Sequence, residues 1–176
     1  MADLEFNTTA GQTVAREMLI AYLNTGESGT PTWSPVGKRV EDSSIEFDWQ
    51  TETKVDIFGD TYTTGKKATR TQTFDPCELD GADEAQQKIW NLAIKDNNVQ
   101  ALLNQDMLIV HLYAGTENTA VFAERYAACS VLPSSLGGEG GGSVGMPIDV
   151  TYGGARTTGT ASISNGTVTF KADGEA

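Results

Sequence analysis

The sequence predicts an α+β, mainly β fold: an antiparallel sandwich or barrel of about seven or eight strands, with one flanking α-helix over about residues 82–95. Three observations carry this. Apolar and polar residues alternate strictly from Ser43 to Phe58, a continuous apolar run occupies Met107–Tyr113, and Asn165-Gly166 sits between alternating residues near the end of the chain. At 176 residues the chain fits a single domain with one proper core.

Residues 1–13 lack an apolar period and read as a polar N-terminal arm, leaving a single domain over 14–171. Val14–Leu23 suits a short buried strand or two helical turns, stopped by Asn24-Thr25-Gly26, and Glu27–Pro31 is turn chemistry. From Ser43, the residues Ile45, Phe47, Trp49, Thr51, Thr53, Val55 and Ile57 fall on one face of an extended chain. Glu46, Asp48, Glu52 and Asp56 fall on the other, together with Ser44, Gln50, Lys54 and Phe58. Fourteen extended residues at about 3.3 Å each would span roughly 46 Å, well beyond an ordinary strand. The run is therefore expected to bend near Thr51 or to project from the domain as a long hairpin. Gly59-Asp60 turns it into the Thr-rich stretch Thr61–Phe74, which carries Lys66, Lys67 and Arg70.

The one helix has Asp80 or Asp83 as its cap and Glu84 in its first turn. Ala85, Ile89, Leu92 and Ala93 lie on a common face with Trp90 beside it, and Lys88 and Lys95 come later, where the helix dipole favours them. Val99–Leu103 reads as a further turn. Met107–Tyr113 reads as a strand covered on both faces. Thr119–Leu132 reads as another, with Val121, Ala123, Ala127, Cys129 and Val131 on one side. The Gly-rich loop 137–145 reads as a hairpin connection, Met146–Tyr152 as a strand, and Ala161–Phe170 as a hairpin. The tail 172–176 is polar.

Twelve basic residues stand against twenty-four acidic ones, a net charge of −12. A surface this negative repels nucleic acid, because phosphate contact needs Lys and Arg to displace counterions. Cys77 and Cys129 make no disulfide framework and read as small buried hydrophobes. The N-terminus shows no basic segment followed by an apolar one, and no stretch approaches about eighteen apolar residues, so neither export nor membrane insertion is expected.

No catalytic residue, cofactor site or metal site emerges. The single histidine, His111, lies inside the apolar run MLIVHLY and reads as a satisfied core or interface residue. Cys77 has no second histidine to form a thiolate pair. Asp75, Glu78, Asp80 and Asp83 cluster around Gly81 without the spacing of a calcium loop, and read as a turn plus an acidic helix start. The Gly137–Gly145 run lacks the Lys-Ser/Thr ending of a phosphate loop.

The succession VAREMLIAYL, TWSPVGKRV, SIEFDWQTETKVDIFGD, a Thr- and Lys-rich strand, and FDPCELDGADEAQQKIW resembles the tail tube (major tail) proteins of long-tailed bacteriophages, the non-contractile kind in particular. The resemblance covers most of residues 14–132 and rests on pattern. It implies a structural virion protein, assembled in the host cytoplasm, whose closed, usually hexameric rings stack into a tube. Strands of neighbouring copies would then merge into one inner barrel.

On that reading Glu46, Asp48, Glu52 and Asp56 face the lumen, where DNA slides without specific binding. The apolar side of their strand faces the domain body, and Lys66, Lys67 and Arg70 meet acidic residues of the next ring. The partners implied are other copies of the chain, a tape-measure protein, a tail terminator and distal tail or baseplate proteins. The arm, the loop 59–67 and the Gly-rich segment are expected to order on assembly. A tail terminator, a head–tail joining protein or the inner tube of a contractile tail are the nearest alternatives. A β-sandwich carbohydrate-binding or adhesion module is more remote, because Phe47 and Trp49 read as core.

Overall fold

Strand pairing in this chain is antiparallel throughout, as short turns between alternating segments require. The computed structural model describes residues 3–27 and 29–175. Met1 and Ala2 of the predicted arm, Ser28 of the Glu27–Pro31 turn and Ala176 of the tail lie outside the described residues. Eleven strands are present among the described residues: β1 Leu19–Asn24, β2 Trp33–Pro35, β3 Ile45–Asp48, β4 Glu52–Val55, β5 Thr61–Thr64, β6 Thr69–Phe74, β7 Gln105–Thr116, β8 Ala120–Pro133, β9 Ile148–Tyr152, β10 Arg156–Ser164 and β11 Thr167–Ala172. The count exceeds the expectation because the two long segments each break into two strands and Trp33–Pro35, unassigned by pattern, adds a short strand beside β1.

Nine strands form one sheet in the order β2-β1-β7-β8-β9-β6-β3, with β10 on β8 and β11 on β10, while β4 and β5 pair with each other in a sheet of their own. β8 is the corner of the large sheet. Its residues 121–126 pair with β10 and its residues 130–133 with β9. Between the two halves lies a bulge, where Tyr126 opposes Met107 but Cys129 opposes Gln105. The amides of Ala127 and Ala128 turn out of the ladder to the carbonyls of Ala155 and Gly153. The bulge changes the phase of the strand. Val121 and Ala123 enter one core with Tyr22, Leu108 and Val110, whereas Tyr126, Cys129 and Val131 enter the other with Met107 and Ile109. The expected single face from Val121 to Val131 is corrected accordingly, and Ala127 is exposed.

β7 separates the two cores by simple alternation, so the run Met107–Val110 is wholly buried, as a doubly covered strand must be. Beyond the smaller core, β11 returns towards β2 and the sheet curls into a barrel-like half. The larger core lies between β1, β7 and β8 on one side and β6, β9 and the helix on the other. The helix α1, Glu84–Trp90, is capped by Asp83, whose carboxylate accepts from the Gln86 amide at 3.0 Å, and it continues as a π-helical turn over Asn91–Lys95. Ala85 and Ile89 are buried, with Leu92 and Ala93 packed against them. A one-turn helix α2, Val99–Leu102, is capped by Asn98.

The acidic cluster beside the helix holds the fold together locally. Asp80 pairs with Lys38 at 2.8 Å and accepts from the Ala82 amide, and Glu78 meets Arg39. Residues 5–7 of the arm already lie along the end of β7 through a Phe6–Ala114 bridge and the Asn7 amide. The Gly-rich connection is bridged across Gly137 and Gly145 and tied to Cys77 and Leu79. Both segments thus have partners within the chain before any assembly.

Ile148, fully buried in the larger core, and Ile57, 94% exposed, make a matched pair. Ile148→Ala is expected to lower unfolding free energy by about 2–5 kcal/mol, and Ile57→Ala to leave the monomer's value within about 0.5 kcal/mol. Urea denaturation of the dispersed protein checks both.

Candidate functional site

The segment from Ile45 to Thr64 keeps its alternation only locally. On β3, Ile45 and Phe47 share a face, with Gln72 and Arg70 of β6 opposite them, and Glu46 and Asp48 point the other way. Asp48 then accepts the Gln50 amide at 3.1 Å, and Gln50 takes a positive φ of 46°. That kink detaches residues 52–64 from the main sheet. There β4 and β5 re-form as a separate hairpin, with Thr53 and Thr63 hydroxyls 3.0 Å apart across it. At its tip the Asp56 carboxylate accepts from the amides of Phe58 and Asp60, at 2.8 and 3.0 Å, and closes the Ile57-Phe58-Gly59 turn.

The expected bend near Thr51 and the expected projection are both present. The expected burial of the apolar face is not. Ile45 alone of this face packs against the core; Phe47 is 50% exposed, Trp49 56%, Val55 66% and Ile57 94%. Alternation determines which residues share a face, and the Gln50 kink leaves neither face of β4–β5 with anything to cover it.

The expected site residues are spread over this element and its root. Glu46 and Asp48 lie on the exposed side of β3; Glu52 sits on β4, 3.2 Å from Lys54 in an exposed ion pair; Asp56 holds the tip turn. Lys66 and Lys67 are exposed in the link back to β6, and the Lys66 amide donates to the Trp49 carbonyl. Arg70 is separated from them, turned inward onto Glu124.

Glu124, 3% exposed on β8, is a polar centre that the sequence does not single out. Its carboxylate accepts from Arg70 of β6 at 2.7 and 2.8 Å, from Arg156 Nε of β10 at 2.7 Å and from His111 Nε2 of β7 at 3.0 Å. Because an ionised carboxylate only accepts, His111 donates through Nε2, and its Nδ1 accepts from the Tyr113 hydroxyl at 2.9 Å in the neutral ring. His111 is therefore a satisfied, structural histidine. Burial pushes the Glu124 carboxyl up, but the hydrogen bonds from His111, Arg156 and Arg70 together outweigh it and hold it at about 2. The only advance signal for this centre was a glutamate inside a strand otherwise rich in small apolar residues. A cleft of ≈ 500 Å³ opens over it, between β7–β8 and β3–β6.

Exposure of Phe47 and Trp49 removes the reason for setting a carbohydrate-binding module aside. Their rings are stacked, 6.0 Å apart and 12° from parallel, but Arg70 lies over the Phe47 ring at 5.1 Å. One partner of the pair thus already has a guanidinium against it, which leaves a poor platform for a sugar ring.

No family model matches the sequence, and no curated protein matches it. Among solved structures the chain is similar to the sheath/tube terminator of an extracellular contractile injection system (PVC), in its extended state. The TM-score is 0.51 at 10% identity, over 85% of this chain and 99% of that one. It is also similar to a chain of the PVC sheath–tube complex in the extended state, at 0.47 and 13% over 85% and 93%. A third similar structure is the tube-terminating cap of the anti-feeding prophage, at 0.45 and 16% over 88% and 96%. The first of these shows a shared fold. That fold match is to a component of a contractile system, whereas the sequence resemblance favoured the non-contractile kind.

A carboxyl held below its ordinary 4.5 contributes stability above that pH and loses it as pH falls towards about 2. Glu124 is thus worth on the order of 3 kcal/mol near neutrality. Glu124→Gln is expected to be less stable at pH 7, with a stability that declines less steeply between pH 4.5 and about 2. Thermal unfolding across that range, wild type against variant, is the measurement.

Proposed function

We propose that this chain is a structural subunit of a phage-tail-like tube, assembling with copies of itself into stacked, closed rings. The observation that carries this is the β4–β5 hairpin together with β3. Residues 46–48, 52–55 and 61–64 are exposed along their whole length, and the tip presents Ile57 and Phe58 to solvent. An isolated two-stranded hairpin is marginal in water, and β3 ends the main sheet with an edge unpaired among the described residues. Both needs are met by a neighbouring copy in a closed ring, which leaves no free edge. The shared fold with a tube terminator supports the same class of assembly. A structural role, with no enzymatic one, accords with Glu124 and His111 being consumed in ion pairing and hydrogen bonding within the chain.

Within this proposal the rings are hexameric, the domain over 14–171 forms the wall, and the exposed side of β3 and β4 contributes Glu46, Asp48 and Glu52 to the bore, while Asp56, beyond β4, closes the hairpin tip instead. DNA passing a negative wall meets repulsion from every side and slides without adhering. Lys66 and Lys67 are free to meet acidic partners on an adjoining ring. Arg70 is committed to Glu124 and serves the fold. A tape-measure protein inside the tube, and terminator and baseplate proteins at its ends, complete the set of partners in a phage-tail-like particle.

A second reading, a terminator capping the tube, is favoured by the fold match to a terminator over nearly the whole of that chain. Negative-stain microscopy of concentrated protein separates the two. Filaments of indefinite length identify a tube subunit, single rings a terminator, and a monomer at every concentration defeats both. Ile57→Asp is expected to leave the monomer folded, because the side chain is free in it, and to abolish growth of the filaments.

The bore assignment has its own measurement. In the Glu46→Lys/Glu52→Lys variant, filaments should retain duplex DNA in a salt-sensitive way, while wild-type filaments retain none. Equal behaviour of the two would show that these carboxylates do not line the channel.

A further inference from the structure

We propose that the cleft above Glu124 is the seat for the hairpin tip of a second copy of this chain, a pairing that rests on the self-assembly reading above. The tip reads Asp56-Ile57-Phe58-Gly59-Asp60. It is a tight turn, closed by the Asp56 carboxylate and by Gly59 at a φ of 85°, so its two apolar side chains project together. In its own chain they touch no core and stand in solvent. The tip is thus a small knob, apolar in the middle and acidic on both flanks.

The cleft has the opposite character. Leu19, Ile45, Phe47 and Phe122 give it apolar walls, and Arg16 and Arg156 are its exposed cations. Among the described residues Arg16 donates only to the main-chain carbonyls of Ser43 and Leu19, so its charge meets no carboxylate there. Arg156 shares Glu124 with Arg70 and its side chain remains 44% exposed. Among the lining residues three guanidinium groups face one carboxylate, a local surplus of positive charge in a chain whose net charge is −12. A small inorganic anion would use the cations and waste the apolar walls. An apolar peptide without acids would do the reverse. The hairpin tip uses both, and at ≈ 500 Å³ the cleft has room for side chains rather than for a domain.

Knob and seat are different patches of the same surface, so the contact is heterologous: each copy gives a tip to one neighbour and receives one from another. Such a contact repeats without limit along a stack or closes around a ring. It also gives the oppositely charged flanks a role in setting register.

A disulfide trap on the assembled full-length protein tests the pairing. Phe58→Cys at the tip is combined with Ser44→Cys, a near-isosteric change at an exposed cleft residue, and separately with Phe47→Cys at a second lining position. The tip cysteine with Gln100→Cys on α2, away from the cleft, is the control. Cys77 and Cys129 are free and fully buried and do not compete. After oxidation of filaments, a ladder of covalent multimers on a non-reducing gel is expected for at least one cleft pair and not for the control. Filaments that form normally but give no ladder with either cleft pair, or give one only with the control, overturn the seat and leave the tube reading standing. Protein that folds but never assembles, wild type included, overturns the tube reading and the seat with it.

Discussion

A β-strand leaves two obligations, a row of backbone donors and acceptors along each edge and a side-chain face that needs cover. In this chain the stretch from Glu46 to Thr64 meets only half of them internally. Among the described residues β3 has β6 on one edge and nothing on the other, and β4 and β5 have only each other. Elsewhere β2 and β11 are also edge strands with one partner each, but the bulk of the domain finds its cover within the chain, with β7 residues buried on both faces and a capped helix. The contrast is what makes the exposed hairpin informative. A domain with this much buried core does not carry Ile57 and Phe58 in water for want of one; on the proposed assembly their cover comes from a neighbouring copy.

Glu124 is the internal counterpart of that outward demand. The hydrogen bonds it accepts join β6, β7 and β10 to β8, and so tie the leaf that bears β3 to the barrel-like half. A buried carboxylate in this position is costly to desolvate. It is held because guanidinium and imidazole donors converge on it from three strands. The guanidinium of Arg70 lies near both Phe47 and Tyr126, at 5.1 and 5.9 Å, so the clamp also fixes the root of the hairpin. The base of the projecting element is clamped by these contacts, whereas its tip touches no core. On the proposed assembly, that distribution suits an element that reaches a neighbouring copy.

Local chemistry was legible in the sequence and mutual placement was not. The Asp83 cap, the helical face of Ala85 and Ile89, the doubly covered β7 and the Asn165-Gly166 turn all derive from period and turn residues, which are properties of a few consecutive positions. The alternation of residues 45–57 correctly separated Ile45 and Phe47 from Glu46 and Asp48. It could not reveal that the Gln50 kink removes the cover from both faces beyond it, because that depends on where the main sheet ends. The bulge at Ala127–Ala128 was hidden for a similar reason. Two small residues in an apolar strand carry no signature of which strand opposes them. Arg70 read as one of three surface cations because its partner lies 54 positions away, and no pattern within a segment links the two.

The charge distribution bears on how such copies could meet. With twenty-four acidic residues against twelve basic ones, they repel one another at a distance, and close approach needs particular points where the sign is reversed. The exposed ions of the hairpin are mixed, Glu52 with Lys54 and Asp60 ahead of Lys66 and Lys67, and the cleft concentrates guanidinium groups. General repulsion with a few complementary points disfavours random clumping and admits one geometry of contact. An exposed apolar tip on an uncharged domain would aggregate with anything. On the proposed pairing this acidic one is selective, because the approach its charges favour is the one that sets the tip's carboxylates against the cleft's guanidinium groups.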